Sequence, residues 1–253
     1  MRRLNFQDIR SQQLEVALRT HAEMPGLFPW IDAGISSLIS ALYGTAKTPD
    51  PTTVAGKVQS AVWLWTYKSV YTLSASFQLA ELGYYAESLS LNRSLTETLV
   101  QILYLRRHPE ESEKLPNMAS GKRRKLKFAT MFEEIAPGYY GSHYTWASEF
   151  AHPGWGSNAF KMTRDNTGQG AIDQGVIYKA DRFTGSFNEV VMFILGFLRA
   201  LAAVFPISNW DPETRSDWND GTTDLQAALD SHIAFKGGPN SWHSLSEPMW
   251  NPK

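Results

Sequence analysis

The chain has 253 residues, of which 43% are hydrophobic and 19% charged, and its formal net charge is −1. This composition is globular and long enough for one large helical domain. It excludes a disordered chain, and it excludes an overall field that would draw the protein to nucleic acid or to an anionic membrane. Cysteine is absent, so disulfides, thiol catalysis and Cys-ligated zinc are excluded too.

The opening residues, Met1 to Asp8, carry two arginines with no apolar stretch behind them. They do not read as a secretory signal, and the expected location is cytoplasmic. Residues 7–22 read as a moderately amphipathic helix, broken at Pro25-Gly26. Trp30 to Tyr43 reads as a second helix, ended by Gly44. Val54 to Leu82 holds only three charges, Lys57, Lys68 and Glu81. Its apolar residues surround the axis, as expected of a helix buried in a bundle. Gly83 interrupts, and Tyr84 to Arg107 forms the next helix, so the two should make an antiparallel hairpin.

Glu110, Glu111 and Glu113 favour a new start, and Lys122 to Ile135 should be the next firm helix. Tyr139 to Ala151 is predicted helical up to His152-Pro153, because the residue before proline leaves the α region. From Gly154 to about Thr184 the helical period fails. Asn166-Thr167-Gly168-Gln169-Gly170 is a turn signal, and Val176-Ile177-Tyr178 reads as a strand of a small hairpin. Phe187 to Phe205 is another core helix, Asp211 to Gly221 a loop, and Thr223 to Ile233 a short capped helix. An irregular tail follows, anchored by tryptophans; five of the nine, Trp155, Trp210, Trp218, Trp242 and Trp250, lie after residue 150.

Val190 to Ile207 is nearly long enough to span a bilayer at about 20 residues. Arg199 sits near its middle, where a charge costs roughly 2.5–3.5 kcal/mol on insertion scales. Basic flanks are also missing, so it is expected to be a buried core helix, with no membrane as partner. The fold class that emerges is mainly α: six to eight helices in a single bundle over residues 1–205, with a small irregular or hairpin insertion. Residues 206–253 would be a C-terminal extension packed on that bundle.

Two polar clusters stand inside these apolar helices. In Asn92-Arg93-Ser94-Leu95-Thr96-Glu97, Arg93 and Glu97 are one turn apart on the same face. Ser90, Ser94 and Gln101 extend that stripe, opposite Leu91, Leu95, Leu99, Ile102 and Leu103. The stripe is either a solvated face or a pair aimed into a bundle pocket. In the second cluster Tyr144, Thr145, Ser148, Glu149 and His152 share one face. His152 at a helix end favours its protonated form, and equally suits a capping role.

Other chemistries fit less well. Glu149-x-x-His152 has the spacing of half a di-iron site, but no second copy occurs, so neither metal nor other cofactor is expected. His-Glu-x-x-His and the Gly-x-Ser-x-Gly elbow are absent. The glycine-rich stretches at 154–156 and 168–175 lack the lysine and helix of a phosphate loop. Lys122, Arg123, Arg124, Lys125 and Lys127 form the one dense basic run. It reads as a solvated helix surface or as a phosphate contact.

Arg93-x-x-x-Glu97 in a Leu-rich helix precedes, by about 50 residues, Tyr144-x-x-x-Ser148-x-x-x-His152-Pro153. This combination resembles a bacterial family of all-helical domains without assigned activity. That family is distantly similar to the HEPN superfamily, which includes toxin and defence ribonucleases. The resemblance spans about residues 55–205 and implies an all-helical fold, a stress, toxin–antitoxin or phage-defence setting, and a homodimer as one arrangement. The Arg-to-His spacing of HEPN ribonucleases does not occur in this chain, so their catalytic pair is not carried over.

The expected function is therefore binding of a small ligand or protein partner at the clusters, with Tyr144, Glu149, Lys122, Arg123 and Arg124 as binding residues. The first alternative is a metal-independent endoribonuclease or phosphodiesterase acting on RNA. Its catalytic group would be Arg93, Glu97, Ser148 and His152, with His152 as acid and base and Arg93 stabilising the phosphorane. A third reading makes both clusters a structural network that fixes helix register.

Overall fold

The run from Phe183 to Leu201 has no polar face wide enough to meet water, and the fold is arranged to cover it. The computed structural model describes residues 5–45, 49–50, 52–114, 128–138, 140, 162–164, 170–172 and 176–232. Among them are seven α-helices: α1 (Phe6–Glu23), α2 (Phe28–Gly44), α3 (Val54–Glu81), α4 (Tyr85–Arg107), α5 (Phe128–Ile135), α6 (Ala180–Val204) and α7 (Pro212–His232). Helix α6 lies at the centre and packs on α2, α3, α4 and α7. Phe183, Phe187, Val190, Val191, Ile194, Phe197, Leu198 and Leu201 are wholly enclosed. By length and composition α6 could cross a membrane, but 78% of its most apolar window is buried inside the bundle. The mainly α bundle read from the sequence is the fold observed.

Local signals set the helix starts. Asn5 caps α1 reciprocally: its Oδ1 accepts from Asp8 N and its own N–H donates to Asp8 Oδ2, both at 3.0 Å. Thr53 caps α3 by accepting from Gly56 N at 3.0 Å. Helices α3 and α4 form the expected antiparallel hairpin. Near the turn, the hydroxyls of Ser76 and Ser88 lie 3.0 Å apart. At the far end, Lys57 Nζ donates to Glu113 Oε1 at 2.6 Å from the 3₁₀ turn Pro109–Lys114 that follows α4.

The turn between α3 and α4 needs Gly83, whose φ is +84°. A Cβ there would also lie 2.5 Å from Val176 Cγ1. Val176 itself is buried, and its N–H donates to the Gln12 side chain at 3.2 Å. The segment Val176-Ile177-Tyr178, expected as a strand, is instead irregular chain packed between α1 and the hairpin turn. The strands that do form are β1 (Met162–Arg164) and β2 (Gly170–Ile172), antiparallel with Thr163 opposite Ala171. They enclose the predicted turn, whose last residue, Gly170, begins β2.

The expected loop at Asp211–Gly221 is instead the first half of α7. Asp211 caps it, accepting from Thr214 N at 2.9 Å and from the Thr214 hydroxyl at 2.8 Å, and Pro212 occupies the first turn. Gly221, the expected end of that loop, lies inside α7 and is there for closeness. A Cβ at 221 would lie 2.2 Å from Ser37 Oγ on α2. The same contact line carries Ser40 Oγ donating to Asp217 Oδ2 at 2.6 Å. The predicted helix Lys122–Ile135 is described only from Phe128, the predicted helix Tyr139–Ala151 only at Tyr140, and the tail lies outside the described residues.

The C-terminus of α4 clasps α5. Arg107 Nη1 donates to the Glu134 carbonyl at 2.8 Å, and the His108 ring bonds the Glu134 carboxylate. That carboxylate raises the imidazole pKa above its ordinary value.

Two outcomes follow for stability. Gly83 and Gly138 both have positive φ, but only Gly83 faces a clash. Gly138→Ala should cost about 1–2 kcal/mol in urea unfolding and Gly83→Ala clearly more, the excess shrinking in a Val176→Ala background and persisting in part through Val16 and the Ile177 carbonyl. For His108, a raised folded-state pKa gives stabilisation that is fully present below the unfolded value and lost as pH rises through the folded one. The melting-temperature gap between wild type and His108→Gln should therefore be larger near about pH 5.5 than near about pH 8.5.

Candidate functional site between helices α4 and α6

Helix α4 presents the arginine–glutamate pair, Arg93 Nε donating to Glu97 Oε1 at 3.1 Å. The two side chains are 28% and 36% exposed. A pair this accessible contributes only about 0.3–0.5 kcal/mol by itself, so it borders the core and does not anchor it.

The stronger polarity lies one step inward. Ser88, Asn92 and Thr96 are spaced four apart and each is 1% exposed, a polar row turned into the bundle. Ser88 is engaged by Ser76 of α3. Asn92 reaches α6, where its Nδ2 donates to Glu189 Oε2 at 3.2 Å. Glu189 is only 7% exposed. A hydrogen bond to a charged group contributes about 1.5–3 kcal/mol, and an enclosed carboxylate needs it.

Three polar atoms around this contact make no hydrogen bond: Asn92 Oδ1, Thr96 Oγ1 and Ser186 Oγ, the last one turn before Glu189 on the same face of α6. Each buried orphan costs about 1–3 kcal/mol. Glu189 and Asn92 Oδ1 are acceptors only, while the two hydroxyls serve either role. The cluster is therefore rich in acceptors, and it suits a group that brings N–H donors.

The structure brings Arg93 and Glu97 together as their spacing required. Tyr144, Ser148, Glu149 and His152, and Lys122, Arg123 and Arg124 of the basic run, lie outside the described residues. Sequence reasoning missed Glu189, and it passed over Asn92 and Thr96 in favour of their outward neighbours. A signal for Glu189 existed: it is the sole acid between Arg182 and Asp211. Among the described residues no group of three or more His, Asp or Glu is placed to hold a metal ion. No family model matches the chain, and no curated protein or solved structure is similar to it at a significant level.

The orphaned hydroxyl can be tested directly. Thr96→Val keeps the shape and removes the unpaired oxygen, so unfolding free energy should stay within about 1 kcal/mol of wild type or rise. Asn92→Ala strips Glu189 of its amide and should lower it by about 2–4 kcal/mol.

Proposed function

We propose that the protein binds a small polar ligand rich in N–H donors at the cluster of Asn92, Thr96, Ser186 and Glu189. Arg93 and Glu97 border it on α4. One observation carries this reading: a buried carboxylate stands within one helical turn of three unbonded polar atoms, on the facing sides of α4 and α6. A helix pair held only for stability gains nothing from such atoms, whereas binding sites retain groups that lower stability. The acceptor surplus favours an amine or guanidine. A cytoplasmic setting in bacterial stress or phage defence rests on the short motifs around Arg93 and His152.

The test is a thermal shift of the full chain with alkyl diamines and guanidines. At about 100-fold excess over Kd a ligand adds about 2.7 kcal/mol, or roughly 5–10 °C for a chain of this size. Glu189→Gln, nearly identical in shape, should abolish the shift and Arg93→Ala should reduce it. A wild type that never shifts, or a Glu189→Gln variant that shifts equally, overturns the proposal. RNA cleavage by the purified protein that His152→Ala abolishes would replace it with the ribonuclease reading.

A further inference from the structure

Helix α6 carries a second isolated charge. Arg199 is the only base between Arg182 and Arg215. It is half-buried, and burial lowers its pKa below the ordinary arginine value. A guanidinium taken partly out of water normally meets a carboxylate. Here its one hydrogen bond among the described residues goes to a neutral amide, Nη2 donating to Gln226 Oε1 at 3.0 Å. The other end of that amide holds the acid: Gln226 Nε2 donates to Asp230 Oδ1 at 2.9 Å. Cation and carboxylate are thus held a carboxamide's width apart.

Both charges line an open cavity of about 510 Å³ between α6 and α7. Its α7 wall is the row Trp218, Thr222, Gln226 and Asp230, spaced one turn apart. The Trp218 Nε1 donates to the Leu198 carbonyl at 3.0 Å, which fixes the indole as a rigid apolar side. The cavity is open, with one aromatic wall and a few convergent polar groups of the kind that fix a ligand's orientation.

We propose that this cavity binds a small zwitterion, an α-amino acid with an apolar side chain. Its carboxylate takes the remaining N–H donors of Arg199, which match a carboxylate in a two-point geometry. Its ammonium faces Asp230, and its side chain lies along Trp218. A lone anion would meet the repulsion of Asp230, and a lone cation that of Arg199. Only a ligand carrying both charges satisfies both ends. The site is independent of the α4–α6 cluster.

Isothermal titration of the full chain with L-phenylalanine, phenethylamine and 3-phenylpropanoate tests this. Phenylalanine should bind saturably, and each single-charge analogue at least about 10-fold more weakly, a difference of about 1.4 kcal/mol. Asp230→Asn, at an exposed position, should leave the fold intact, weaken phenylalanine and bring 3-phenylpropanoate level with it. Arg199→Gln should abolish phenylalanine binding, and Glu189→Gln should leave it unchanged. Absence of saturable heat with phenylalanine at millimolar concentration, equal affinity for all three probes, or indifference to Asp230→Asn overturns the proposal.

Discussion

Everything in this bundle depends on keeping water from α6. With phenylalanines and branched aliphatics all round its axis, that helix has no solvent-facing side. It persists only because α2, α3, α4 and α7 enclose it. A fully buried leucine- or phenylalanine-sized side chain contributes about 1.5–3 kcal/mol, so the concentration of such residues on one helix makes it the hydrophobic organiser. The capped starts of α1, α3 and α7 and the αL turn at Gly83 bring the surrounding helices to it in register.

A charge in such an environment is informative because removing it from water opposes the apolar burial that holds the helices together. Helix α6 has two ionisable side chains in its apolar stretch, and both end up off bulk water and bonded to carboxamides. Glu189 meets Asn92 in the interior, and Arg199 meets Gln226 at the rim of a cavity. A neutral amide stabilises an ion without cancelling it. For Arg199, whose hydrogen bond among the described residues goes to an amide, the field of the ion thus stays available to a further group. Arg93 and Glu97 show the contrast. They pair with each other at the more exposed edge of the core.

The legibility of the fold varied with how local its causes are. Long helices built from uninterrupted apolar sequence were plain at α3, α4 and α6. The first half of α7 was not, because Asp211-Pro212 and Gly221 resemble turn residues. Their roles as cap and as contact with Ser37 exist only once α2 lies alongside. Val176 misled in the same way: its β-branched neighbourhood suggested a strand, but its backbone partner is a glutamine side chain more than 160 positions away. At the candidate site, the spacing of Arg93 and Glu97 predicted their pairing. Which face of α4 turned inward was a matter of packing, and Asn92 and Thr96 were chosen over Ser94 and Arg93.

Composition and periodicity alone determined that this chain is a helical bundle with a hydrophobic central helix, since burial of that surface admits few other arrangements. Tertiary structure decided which isolated polar residues became neighbours. Asn92 lies 97 positions from Glu189, and Arg199 lies 27 from Gln226. Contacts of that kind arise from how helices rotate and cross as they fill a common core, and no local pattern encodes those angles.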